Sequence, residues 1–358
     1  MILEILNAPW AILPDKLREI QEVVRVRMEG TEIDIAAIEA QIGKPLNNQR
    51  KPYTVEGGTA IIPIEGVIAK KMNLFTQISG GTSSQFLQQD FAEALNDPDV
   101  HSILLAIDSP GGTVDGTQAA ADQIFGARGK KPIIAVADGV AASAAYWIGS
   151  AADSMYTTGD TTAVGSIGVV ARHTDYSQRE KSEGIKVTEI TAGKYKRIAS
   201  EHEPLSVEGR ASIQEQVDHL YSVFVDSVAR HRGVDSQTVA DGMGNGKLFL
   251  GKQAVKAGLV DGVLTQAALV ARLNQDHAEG RKRDPMHEAI IRRAAGLLAA
   301  KGKPVNQAAL AKEAREYREA QAKEGHTISN VEAVRFVYQR AGVPLELTFP
   351  PPFHSRRT

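Results

Sequence analysis

Residues 102–128 read SILLAIDSPGGTVDGTQAAADQIFGAR, and this stretch decides the fold class. SILLAID (102–108) is an unbroken apolar run with β-branched residues, the pattern of a strand covered on both faces. Pro110, Gly111 and Gly112 end it, and TQAAADQIFGAR (117–128) then carries a helical period. Strand, glycine turn and helix in this order are half of a right-handed βαβ crossover. The pattern repeats on either side. TAIIPIEGVI (59–68) is a strand ahead of a helix at 84–95, and PIIAVAD (132–138) is a strand ahead of a helix starting at Ser143. Further strands are expected at MYTT (155–158), AVGSIGVVAR (163–172) and KVTEIT (186–191), with helices at 176–184 and 206–232. This alternation predicts an α/β fold around a parallel sheet.

Composition divides the 358-residue chain into three. Residues 1–57 mix helical patterns (17–28 and 33–42) with polar breaks and read as an N-terminal extension. Residues 58–275 are the compact α/β domain. Residues 276–358 open with a charged linker, DHAEGRKRD (276–284), and continue with Ala-rich, charged helical patterns at 286–301, 306–324 and 330–341. They end in a proline-rich stretch expected to be unfolded.

The net charge of −2 excludes a global field that would draw the chain to nucleic acid or anionic lipid. With no cysteine there is no disulfide, thiol nucleophile or cysteine metal site. The N-terminus, MILEILNAPWAILPDKLREI, lacks the charged start, apolar run and cleavage site of a secretory signal. No stretch reaches the roughly 20 apolar residues of a membrane helix. A soluble, cytoplasmic protein without a membrane anchor is expected, and no cofactor or metal is implied.

In open α/β sheets the loops at the carboxyl ends of the strands carry the chemistry. Two such loops stand out. In AIDSPGGTVDG (106–116), adjacent glycines at a strand-to-helix turn can present backbone N–H groups to an oxyanion. In ADGVAASAAYWIGSAAD (137–153), Ser143 sits among alanines, small enough for a substrate backbone to come close. Consecutive parallel strands would set the loops side by side, with the N–H groups of Gly112 and Ala144 beside the Ser143 hydroxyl. That is the arrangement of acyl transfer: a nucleophile and a two-donor oxyanion hole. The serine needs a base. Of nine histidines only His173, just past a strand, is a candidate. A lysine with a pKa lowered by burial does the same work. TAGKYKRIASEHEP (191–204) offers Lys194 and Lys196, between which spacing alone does not choose.

Together IDSPGG, the ADG-x-AAS-AAYWI block, GSIGV (165–169) and AGKYK resemble the signal peptide peptidase A family of Ser/Lys peptidases, over about residues 58–275 and in the family's order. The resemblance implies the ClpP/crotonase-like fold of repeated ββα units with a parallel sheet. It places Ser143 on the nucleophile, Lys196 on the general base, Ser166 on the hydroxyl that orients the lysine, and Gly112 on the oxyanion-hole glycine. Lys194 falls on a variable position. Ala144 and Ala145 stand where the family has glycines, which leaves the N–H of residue 144 available. The absent anchor and the helical appendix look more like the phage and prophage branch, the capsid-assembly (prohead) proteases that process scaffold and head proteins. A cytoplasmic peptidase of signal-peptide remnants is the nearer alternative. Protein or peptide substrates and a ring-like or dome-like homo-oligomer, with neighbouring subunits shaping the cleft, are implied with it. Two other classes remain: a crotonase-like acyl-CoA enzyme, which would use the paired N–H groups but no nucleophile, and a catalytically silent assembly scaffold.

Overall fold

The computed structural model describes residues 9–18, 52–71 and 81–279. The helical pattern expected at 17–28 lies outside the described residues from residue 19 on, as do the one at 33–42, those beyond residue 279 and the proline-rich stretch.

In chain order the strands are β1 (Trp10–Ile12), β2 (Thr54–Glu56), β3 (Thr59–Ala69), β4 (Gly81–Ser83), β5 (Ser102–Thr113) and β6 (Ile133–Ala142). They continue with β7 (Ser154–Thr157), β8 (Ala163–Gly165), β9 (Leu248–Leu250) and β10 (Gly262–Val263). The helices are α1 (Ser84–Asn96), α2 (Thr117–Gly126), α3 (Ala144–Ser150) and α4 (Ser177–Ser182). After them come α5 (Val207–Arg232), α6 (Ser236–Thr238), α7 (Gly251–Lys256) and α8 (Gln266–Ala278). The ten strands of the described residues join one sheet with the central order β10-β7-β6-β5-β3-β2. The pairs β3–β5, β5–β6, β6–β7 and β7–β10 are parallel; β1, β2 and β9 run antiparallel to their neighbours.

The apolar runs fit this arrangement because both faces are covered. Along β5, Ile103, Leu105 and Ile107 point into the core under α1, α2, α3 and α5, while Leu104 faces the opposite cluster with Leu269, Val270 and Leu273 of α8. Helix α5 starts on Ser206, whose side chain accepts from the Gly209 N–H at 2.9 Å, and stops on Gly233 in the left-handed conformation. Its C-terminal half is the buried one, where Phe224 stacks on Trp147 of α3 with ring centroids 4.3 Å apart.

Three expectations change. The strand at 163–172 covers only Ala163–Gly165, because Ser166 turns to a φ of 53° and breaks the extension. KVTEIT (186–191) forms no strand, and its residues are exposed throughout. Within the segment read as an extension, Trp10–Ile12 and Thr54–Glu56 add strands to the sheet.

Candidate active site

The parallel strands deliver the two loops to one end of the sheet, as their order requires. Registers slip there, between Glu65 and Val67 against β5 and between Ile107 and Ser109 against β6, so the strand ends splay. Asp108 ties the loops together by accepting from the Val140 N–H at 3.1 Å.

Ser143 occupies the sharp turn from β6 into α3 with φ 57° and ψ −116°, a strained conformation for a residue with a Cβ. Its N–H donates to the Gly165 carbonyl at 2.8 Å, and its Oγ lies 3.5 Å from the Gly168 carbonyl. The side chain is almost wholly enclosed. Ala144 opens α3, so its N–H belongs to the first turn, where no intrahelical acceptor exists. At the other end of α3, the Arg128 guanidinium donates to the carbonyls of Ser150, Ala151 and Ala152 and to that of His231. It thereby fixes the end of the helix that carries the serine. Burial lowers the Arg128 pKa to about 10.

Gly112 is opposite Ile68 of β3, and a Cβ there would collide with the Ile68 carbonyl oxygen, so only glycine fits. Gly111 has φ 104°. A Cβ on Gly111 would meet Ser143 Cβ at 3.0 Å, which places the glycine loop directly against the serine. Ser166 follows Gly165, whose strand partner is Ala142, so Ser143 and Ser166 sit side by side at the ends of paired strands. Both have positive φ, a property that Asn245 alone shares among the described non-glycine residues.

Ser143, Ala144, Gly112 and Ser166 are therefore brought together. Lys196 lies exposed on the loop between α4 and α5, and among the described residues no hydrogen bond or ion pair joins it to Ser143 or Ser166. Lys194 pairs with Glu208 at 2.5 Å, and that carboxylate raises its pKa. His173 has its Nε2 2.9 Å from the Ser200 carbonyl, and among the described residues no hydrogen bond joins it to Ser143. The described residues contain no cluster of side chains suited to a metal ion.

Sequence reasoning missed Trp10–Ile12. This strand lies between Gly111–Thr113 and Val170, directly over the glycine loop. The visible signal was a short apolar run, WAIL, enclosed by Pro9 and Pro14.

Residues 127–279 match the family described as peptidase family S49, and residues 65–160 match Clp protease. The mostly parallel, helix-covered sheet agrees with a ClpP-like fold. Among curated relatives, capsid assembly protease C of Escherichia phage lambda is 31% identical over 226 residues, 63% of this chain and 51% of the relative. The head-tail preconnector protein GP5 of Enterobacteria phage P21 is 28% identical over 249 residues, 69% and 49% of the two chains. The chloroplastic serine protease SPPA of Arabidopsis thaliana is 30% identical over 172 residues, 47% and 25%. The chain spans about half the length of the two phage relatives. No helix among the described residues is long and apolar enough to cross a membrane.

Proposed function

The chain is a relative of the family S49 peptidases, and from that premise we propose that it is a serine endopeptidase with Ser143 as nucleophile. The observation that carries the reading is the strained Ser143 turn packed against the glycine loop, with the S49 and Clp protease matches meeting over it. Ser143 Oγ attacks the substrate carbonyl carbon. The N–H groups of Gly112 and Ala144 stabilise the oxyanion, and Ser166 orients the base.

Lys196 is the base in this reading, and the loop that carries it supplies the reason why it makes no hydrogen bond to Ser143 within one chain. Residues 181–196 are exposed throughout, and among them Ile185, Val187, Ile190 and Tyr195 present large apolar surface, Ile190 being 95% exposed. Such a loop finds cover against a second copy of the chain, and docking there brings Lys196 to a serine at the subunit boundary. The names of the two phage relatives, a capsid assembly protease and a head-tail preconnector protein, favour protein substrates of capsid assembly.

A fluorophosphonate probe tests the assignment. It is expected to label the protein at Ser143 alone, and Ser143→Ala is expected to abolish both labelling and peptide hydrolysis. An acyl-CoA enzyme or a silent scaffold would show no labelled serine, and that result overturns the reading.

A further inference from the structure

Strand β1 crosses the candidate site in the posture of a bound peptide. It runs antiparallel to the glycine loop, with Trp10 opposite Thr113, Ala11 opposite Gly112 and Ile12 opposite Gly111. The Leu13 N–H donates to the Pro110 carbonyl at 3.0 Å, and this sets the phase of the ladder. With Ile12 opposite Gly111, the alternation makes Ala11 and Gly112 the hydrogen-bonded pair, so the Gly112 N–H is directed at the Ala11 carbonyl. That N–H is one of the two assigned to the oxyanion hole. The position a Gly111 Cβ would take is blocked by the Ala11 carbonyl oxygen and lies 3.0 Å from Ser143 Cβ, so carbonyl and serine crowd the same point.

The other edge of the strand is held as well. Trp10 and Val170 exchange N–H···O bonds of 2.9 Å in both directions. Side chains alternate accordingly. Trp10 and Ile12 pack with Leu17, Val67 and Val170, whereas the Ala11 methyl points inward, fully buried in the main core. A strand held on both edges, with one carbonyl offered to an oxyanion donor and a small side chain in a closed pocket, is how an extended substrate is presented by strand addition.

We propose that residues 10–13 are an intramolecular substrate of this site and that the Ala11–Ile12 peptide bond is the one it cleaves. The proposal rests on the peptidase reading above and adds the substrate class: an extended segment with a small residue whose carbonyl meets Gly112. Ser143 Oγ bonds to the Ala11 carbonyl carbon, and its proton passes through the base to the nitrogen of Ile12 as the C–N bond breaks. Water then hydrolyses the ester, leaving residues 1–11 with a carboxylate and a chain that starts at Ile12.

The test follows the intact mass of the purified full-length chain and its action on a synthetic peptide of residues 5–17. The wild-type protein is expected to lose residues 1–11 and to cut the peptide between Ala11 and Ile12, while Ser143→Ala does neither. A peptide carrying Ala11→Phe should be cut about tenfold more slowly or worse, because the closed pocket has no room for a ring. A protein that is labelled at Ser143 and hydrolyses casein, yet leaves Ala11–Ile12 intact in both chain and peptide, overturns this proposal alone. A protein that is neither labelled nor active overturns the peptidase reading with it.

Discussion

At the residue scale, Ser143 holds backbone strain in the place where the chemistry is proposed. A non-glycine residue at φ 57° and ψ −116° costs on the order of 1–3 kcal/mol, which the packing of α3 and the N–H bond to Gly165 offset. Two substitutions separate strain from catalysis. Ser143→Ala and Ser143→Gly should both lose several orders of magnitude in peptide hydrolysis. Ser143→Gly should nevertheless be more stable than Ser143→Ala by about 1 kcal/mol in urea unfolding, because glycine adopts that conformation freely. Equal stabilities would show that the turn is not strained. The two lysines separate in the same way. Lys194 is engaged with Glu208, so Lys194→Ala should keep most activity, whereas Lys196→Ala should be as inactive as the serine variants. A live Lys196→Ala enzyme beside a dead Lys194→Ala enzyme would reassign the base.

At the scale of elements, α3 and α5 meet in a buried polar knot. His231, in the last turn of α5, has its Nδ1 3.0 Å from Ser150 Oγ at the end of α3. Arg232 forms a two-pronged pair with Asp261, at 3.0 and 3.1 Å. Burial first, and then the neighbouring charges of Arg128, Arg230 and Arg232, lower the His231 pKa from 6.5 to about 2. The sign of the pH effect follows. Below pH 6.5 the unfolded chain takes up a proton at this residue that the folded chain refuses. The stability is therefore whole above that pH and declines as the pH falls toward 2, by up to about 1.4 kcal/mol per unit. Urea unfolding of wild type and His231→Gln at pH 7.5 and 5.5 checks this. The wild type should lose about 1 kcal/mol more than the variant over that interval, and parallel losses would refute it.

At the scale of the whole molecule, the proposed dyad needs a second copy, and mixing subunits tests that directly. Ser143→Ala and Lys196→Ala proteins, each inactive alone, should regain about a quarter of wild-type activity when dissociated and reassembled in equal amounts. That is the chance that an intact serine meets an intact lysine across a heterologous interface. No recovery would mean that both groups come from one chain. The appendix expected over residues 276–358 begins inside α8, which runs to Ala278, and the part of it beyond residue 279 is proposed to serve partner binding. A truncation after Glu279 keeps Asn274, whose side chain donates to the Glu56 carbonyl and accepts from Thr59 Oγ1 at 2.7 Å, and keeps Leu273 in the core. Such a protein should melt near the full chain and cleave a small peptide normally while losing association with its natural partners. Aggregation of the truncated chain would place the segment in the core.

The sequence by itself determined the α/β class, the three central strands and the pair of loops at their ends. Each of these is written in local periodicity: an unbroken run of apolar residues reports two covered faces whatever the covering elements are. It also singled out Ser143 and Gly112, because small residues at a strand-to-helix turn leave a local mark. Pairing across the chain decided the rest. That Ser166 stands beside Ser143 follows from Ala142 meeting Gly165 in the sheet. That Trp10–Ile12 lies over the glycine loop depends on β5, about a hundred residues away, offering an edge of matching length. KVTEIT is rich in the β-branched residues that strands favour, yet forms no strand and stays exposed. A strand's own sequence records which of its faces is buried, but its hydrogen bonds need an edge, and only the folded chain supplies one.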